Sequence, residues 1–197
     1  MSAGLVRPDH GAICGFVAPG ARVLDLGCGD GELLAMLVEH KGVRGQGIEL
    51  DDQAIYRCVA RGLSVFHGDI DGGLPDYPAG SFDFVILNKS LQEAKHVDLV
   101  LREALRVGRR VIVGIPNFAS VGARSRVFFR GRMPVTRSLP YQWYDTPNLR
   151  FLTIRDFEDH CRELGIRILD ARFLGKRGPV RWRPNLFALE AVFLLGG

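Results

Sequence analysis

An aspartate inside an apolar run, followed by three glycines at two-residue steps, is the part of this sequence best suited to bind a ligand. The run is Val23-Leu24-Asp25-Leu26-Gly27-Cys28-Gly29-Asp30-Gly31, and the helix-like segment Glu32-Leu33-Leu34-Ala35-Met36-Leu37-Val38 follows it. This order reads as strand, glycine turn, helix. Gly27 and Gly29 allow a tight turn and let a ligand touch bare backbone. The turn delivers that ligand to a helix N-terminus, where unpaired N–H groups favour anionic groups. A dinucleotide fingerprint, G-x-G-x-x-G, needs its third glycine to pack helix against strand. That position is Glu32 here, and a glutamate would crowd the packing and oppose a pyrophosphate. Cys28 reads as a small apolar filler, since the sequence places no base beside it.

Three downstream segments carry polar groups in register with this turn. Glu49, in Gly47-Ile48-Glu49-Leu50-Asp51, lies 22 positions after Gly27, where the second strand of a Rossmann-like unit ends. A carboxylate there can accept hydrogen bonds from both hydroxyls of a ribose. Asp69 sits in Phe66-His67-Gly68-Asp69-Ile70-Asp71, at the end of a third strand. Gly-Asp is also ordinary turn chemistry. Asn88 closes the run Ser81-Phe82-Asp83-Phe84-Val85-Ile86-Leu87-Asn88. Open parallel sheets bind ligands at that edge, and Asn88 is equally placed to cap the next helix.

The pattern acid-x-Gly-x-Gly-x-Gly resembles motif I of the class I S-adenosylmethionine (SAM) methyltransferases. The ligand of that family has an amino-acid tail, a sulfonium and a ribose, and no phosphate. The resemblance implies that SAM or S-adenosylhomocysteine is bound. Asp25 and the Gly27–Gly29 backbone, with Cys28, would hold the amino-acid tail. Glu49 would hold the ribose and Asp69 the adenine, with Leu50, Gly68, Ile70 and Asn88 as further cofactor-binding candidates.

The elements that must position these groups alternate along the chain. Strands are expected at Arg22–Leu26, about Gln46–Leu50, Ser64–His67, Phe82–Leu87 and Arg110–Ile115. Helices are expected at Ile13–Val17, about Gly31–Lys41, from an Asp51 or Asp52 cap to Gly62, and about Lys95–Val107. Such alternation implies right-handed parallel crossovers and a Rossmann-like, doubly wound α/β sheet. Residues 118–150 then form an insertion rich in Arg, aromatics and Pro, long enough to suggest a functional role. Val121–Phe129 within it is compatible with a helix. Thr153 caps a further helix, Ile154–Leu164, closed by Gly165. Two final strands, about Arg167–Phe173 and Leu186–Leu194, pair antiparallel across a basic connector. The whole of residues 1–197 reads as a single domain.

Composition narrows the setting. No run approaches the ~20 apolar residues of a membrane span, and Met1–Pro8 lacks a leader's apolar core. The cytoplasm is the expected location. The four cysteines are scattered, so neither a zinc site nor a disulfide framework is indicated. The histidines lie at no metal-ligand spacing. His10, beside Asp9, reads as structural. The net charge of +4 hides an asymmetry: residues 1–119 carry 12 basic and 15 acidic side chains, residues 120–185 carry 14 and 6. The basic residues of the second segment are all Arg except Lys176, and Arg suits phosphate, carboxylate and interface recognition. An RNA-binding face would use such a patch. Tyr141, Trp143 and Tyr144 in a Pro-bounded loop instead favour a protein interface, where Arg, Tyr and Trp are typical anchors.

Several segments resemble a narrower family. They are Leu105–Arg110 through Ile115-Pro116-Asn117-Phe118, Arg130-Gly131-Arg132-Met133-Pro134-Val135-Thr136, Leu139-Pro140-Tyr141-Gln142-Trp143-Tyr144-Asp145-Thr146-Pro147-Asn148, and Thr153-Ile154-Arg155-Asp156-Phe157. Together they resemble the methionine-biosynthesis MetW family from Arg7 to about Ile168. The resemblance implies a SAM-fold accessory subunit of homoserine O-acyltransferase (MetX), with SAM as ligand. An active methyltransferase on a small molecule is the alternative, and RNA a lesser one. No catalytic residue is identified. The acceptor motif Asn/Asp-Pro-Pro-aromatic of amino-methylating enzymes is absent after the fourth strand, where Asn88-Lys89-Ser90-Leu91-Gln92 stands.

Overall fold

The computed structural model describes residues 7–136 and 139–196. Residues 1–6, part of the stretch read above for a leader, lie outside the described residues. Five strands run parallel: β1 (Arg22–Leu26), β2 (Arg44–Glu49), β3 (Ser64–His67), β4 (Phe82–Asn88) and β5 (Gly108–Pro116). Three more, β6 (Arg167–Gly175), β7 (Gly178–Pro179) and β8 (Glu190–Gly196), extend the sheet antiparallel. The strand order is β3-β2-β1-β4-β5-β8-β6-β7. The order reverses direction between β1 and β4, which opens a crevice at their carboxyl ends.

Helices cover both faces. They are α1 (Pro8–Cys14), α2 (Glu32–Lys41), α3 (Asp52–Ala60), α4 (Val97–Val107), α5 (Val121–Arg130), α6 (Ile154–Glu163) and the single turn α7 (Pro184–Phe187). Central strands read as continuous apolar runs because side chains at both strand faces are buried. Val85 and Leu87 pack with Leu101 of α4 and Phe157 of α6 on one face. Phe84 and Ile86 pack with Ile13 of α1 and Leu34 and Leu37 of α2 on the other. The period of two along β4 therefore feeds two separate apolar layers.

Local chemistry sets the element ends. Gly42 closes α2 in the left-handed region. Asp51, and not Asp52, caps α3 through the Gln53 N–H. Thr153 and Asp156 form a reciprocal capping box on α6.

Several expected boundaries shift, among them the end of the first helix, at Cys14 rather than Val17, and three of the shifted starts have a local cause. The first helix starts at Pro8 rather than Ile13, because proline is preorganised for a first helical position. The helix expected from Lys95 starts at Val97, because the Lys95 and His96 N–H groups donate to the Asp71 carboxylate. The last strand begins at Glu190 rather than Leu186, because Pro184 turns Leu186 and Phe187 into α7. The insertion holds α5 and then irregular chain.

Thr153→Ala removes one half of the α6 capping box. It should lower stability by about 1 kcal/mol, read as a shift in the urea midpoint with an unchanged denaturant slope.

Candidate ligand-binding site

All ten positions singled out from the sequence border one cavity of about 750 Å³ at the carboxyl edge of the sheet. The glycine turn forms its floor. Gly27, at φ +70°, passes so close to the next crossover that a Cβ there would lie 2.6 Å from Ser90 Cβ. The Gly27 and Cys28 N–H groups both donate to the Ile48 carbonyl (2.8 and 3.1 Å), which ties the turn to β2. A Cβ on Gly29, at φ +56°, would meet no atom within 4 Å, so the turn is uncovered on that side. Close helix packing falls to Gly31, where a Cβ would meet Leu63 and Cys58. Glu32 does not enter that contact. Its side chain is exposed and lies 3.6 Å from Arg7.

Cys28 borders the cavity, but its thiol packs inward. Cys28 Sγ lies 4.0 Å from Cys58 Sγ, and a Cβ on Gly47 would sit 2.5 Å from it. Burial pushes the thiol pKa upward, as does nearby Asp25. The filler reading of this side chain fits that environment.

The acidic groups divide their work. Glu49 Oε2 accepts the Gly29 N–H at 2.7 Å, and Oε1 accepts those of Leu50 and Asp51 at 2.8 and 3.0 Å. The carboxylate therefore fixes the glycine turn and its own turn together. Asp25 is buried at the bottom of the cavity, and burial raises its pKa to about 7, reinforced by the Glu49 charge. Asp69 accepts the Asp71 N–H at 2.9 Å, the turn chemistry its Gly-Asp context allows, and it also lines the cavity. In all, eight carboxylates face four Lys and Arg side chains around the cavity.

Asn88 does not cap the helix that follows; Ser90 holds the cap position of the next 3-10 turn. Its Nδ2 donates to Asp9 Oδ2 at 3.2 Å, linking β4 to α1. Asp9 lies at the centre of a buried network: Arg7 is 2.8 Å away, Lys89 Nζ is 3.2 Å away, and Lys89 also reaches Glu190 at 2.8 Å. Burial opposes the Asp9 charge, but Lys89 and Arg7 outweigh it and hold the carboxyl well below the usual range. Lys89 sits at φ +65°, a strained backbone for a non-glycine residue. Sequence reasoning missed this network. The one signal was the Arg7-Pro8-Asp9-His10 segment, and nothing linked it to Asn88 or Lys89. His10 also borders the cavity, as do Tyr141 and Pro147 from the insertion.

A family model described as "Methionine biosynthesis protein MetW" matches residues 7–195. The chain belongs to the MetW family. A relative from Rhodopirellula baltica, "Bifunctional methionine biosynthesis protein MetXA/MetW", is 36% identical over 93% of this chain and 32% of its own length. The chain thus spans about a third of the length of the curated relatives it matches. Among solved structures, a SAM-dependent methyltransferase from Archaeoglobus fulgidus superposes with a TM-score of 0.71 at 15% identity, covering 98% of this chain and 93% of that one. One from Thermotoga maritima gives 0.69 at 20%, covering 95% and 87%. This MetW chain therefore has the class I methyltransferase fold: an α/β sheet, mostly parallel, with antiparallel C-terminal strands.

The raised pKa of Asp25 has a sign that can be tested. Its neutral form is favoured in the fold, so stability is fully present below about pH 4 and declines as pH rises through about 7. The stability of Asp25→Asn relative to the parent should therefore increase between pH 5 and pH 8. Urea unfolding at both pH values measures this, and a pH-independent difference would contradict the shift.

Proposed function

We propose that this MetW chain binds SAM or S-adenosylhomocysteine in the carboxyl-edge cavity and serves as an accessory subunit of homoserine O-acyltransferase (MetX). The convergence of the ten positions on one acidic cavity carries the ligand reading. An excess of carboxylates favours a ligand bearing an ammonium and a sulfonium, and disfavours a phosphate. Asp25 and the uncovered side of the turn at Gly29 suit the amino-acid tail, with Gly27 and Cys28 setting the turn. Glu49 and Leu50 suit the ribose, and Gly68, Asp69 and Ile70 the adenine. Asn88 supports the wall through Asp9. When bound, SAM would supply an electrophilic methyl group, while S-adenosylhomocysteine would supply none. The residues described here do the binding whichever form is present.

The partner reading rests on the bifunctional relative, whose name joins MetXA and MetW in one chain. Homoserine acylation in the cytoplasm is the setting we infer for it. The surface supports association. Trp143 and Tyr144 are 72% and 71% exposed, and Phe128 and Phe129 on α5 are 82% and 79% exposed. Arg130 and Arg132 are exposed beside them. Aromatic and Arg side chains of this kind are typical interface anchors. Among the described residues no helix is long and apolar enough to cross a membrane.

Three outcomes test this function. Glu49→Gln should weaken SAM and S-adenosylhomocysteine binding about tenfold or more in calorimetry, the effect of losing hydrogen bonds to a charged group. No heat with either ligand, for folded chain with and without the acyltransferase, overturns the ligand reading. Reversing charge at Arg130 and Arg132, or Trp143→Ala, should weaken co-purification with the acyltransferase by about thirtyfold in Kd, a change of ~2 kcal/mol. Melting temperature should hardly move, because these side chains are exposed. Finally, the acyltransferase rate should respond to this subunit and to a SAM titration together. A tenfold coupling corresponds to ~1.4 kcal/mol and must be reciprocal between SAM and the acyltransferase substrate. Stimulation that ignores SAM would leave an accessory subunit without a sensing role.

A further inference from the structure

A second cavity, of about 690 Å³, opens between the first turn of α4 and α6. Leu91, Leu152 and Phe157 give it an apolar wall. Gln92 also lines it, is only 4% exposed, and its Oε1 has no hydrogen-bond partner. Native proteins leave few buried acceptors unpaired, so each one asks for an explanation. Two cations stand at the same cavity. Among the described residues neither the Lys95 nor the Arg150 side chain forms an ion pair, although the Lys95 charge acts on nearby Asp71; Arg150 donates only to the carbonyls of Lys95 and Leu149. Two acids, Asp98 and Asp156, line the same cavity, and each already has a partner. Asp98 pairs with His160 at 2.9 Å, and Asp156 accepts the Thr153 N–H at 2.9 Å within its capping box.

We propose that this cavity is a second ligand site, specific for an apolar α-amino acid. The three features call for the three parts of that molecule. A buried acceptor takes the ammonium, two unpaired cations take the carboxylate, and the apolar wall takes the side chain. A plain hydrocarbon would leave Gln92 and both cations unanswered. The site is also placed to communicate. Lys95 borders both cavities, and Glu93 and Ala94 line the first one directly after Gln92. The Gln92 carbonyl accepts the Leu149 and Arg150 N–H groups at 2.9 and 3.0 Å. That bond pair anchors the insertion whose Tyr141 and Pro147 wall the first cavity.

Calorimetry on the full chain tests this, with L-methionine, L-leucine and L-phenylalanine as probes and L-methioninamide as the control lacking a carboxylate. At least one of the three amino acids should bind, and methioninamide should bind at least tenfold more weakly than methionine. Gln92→Leu removes the acceptor without emptying the space. It should abolish binding while the melting temperature holds or rises, because an unpaired buried acceptor has been removed. Arg150→Gln should weaken binding tenfold or more with the fold intact. S-adenosylhomocysteine should not displace the amino acid, and Glu49→Gln should bind it as the parent does. Absence of binding by all three amino acids overturns the proposal. So does binding that survives both Gln92→Leu and Arg150→Gln. Competition by S-adenosylhomocysteine would place the amino acid in the first cavity and likewise overturn it.

Discussion

The candidate site depends on one carboxylate, that of Glu49. It accepts three backbone N–H groups, one from the glycine turn after β1 and two from the turn after β2. It adds to the Gly27 and Cys28 bonds with the Ile48 carbonyl and joins the two turns to each other. The glycine turn is left-handed at Gly27, Gly29 and Gly31, so the chain there has lost the usual steric limits on its path. Charge-assisted bonds to backbone N–H groups are stronger than neutral ones, and here they stand in for the missing steric constraint. A second, apolar fastening lies beneath them, where Cys28, Gly47 and Cys58 close together. The turn is therefore held both by charge and by packing.

That solution concentrates negative charge. Asp25 is buried below Glu49, and burial together with that neighbour raises its pKa to about 7. At Asp9, behind the cavity residues Asn88 and Lys89, the balance reverses. Asp9 is also buried, yet Lys89 and Arg7 hold it ionised. The difference lies in partners rather than depth, since a buried carboxylate stays charged only where cations or N–H groups surround it. The cavity thus has one acid, Asp25, that an arriving cation would favour in its ionised form, its proton leaving to solvent, while Asp9 behind Asn88 and Lys89 is already ionised and paired. A ligand carrying positive charge would lower the Asp25 pKa and remove the destabilisation that its burial imposes.

The sequence made the parallel half of the sheet legible because its strands are apolar runs bounded by turn residues. The carboxyl-edge positions were legible too, since a βαβ unit fixes which residues stand at strand ends. Asn88 shows the limit. Its place at the end of β4 was readable, but its partner Asp9 is 79 positions away, and no local pattern reports such a contact. Glu49 was readable as an acid at a strand end, whereas its three N–H bonds depend on how two turns meet. The final strand was placed four residues early because apolar Leu186 and Phe187 look like strand, and the φ that Pro184 fixes decides otherwise. The cavity between α4 and α6 had no sequence signal at all. It forms where residues 91–99 and 150–160, far apart in the chain, come together.

The insertion joins surface and interior more directly than its composition suggests. Tyr141 borders the carboxyl-edge cavity, while Trp143, two residues on, faces solvent with Tyr144 stacked edge-on against it. A partner gripping Trp143 would act on a short length of chain that also walls the cavity. The segment has little regular structure of its own beyond α5, and its end is held by the Gln92 carbonyl through Leu149 and Arg150. Segments with few regular backbone hydrogen bonds rearrange locally at low cost. Coupling between partner and ligand requires only that one arrangement of Tyr141 and Pro147 suit the filled cavity better than another. The fold places the outer anchor, the cavity wall and the fixing point within ten residues of one another, so such a preference has a short physical path to follow.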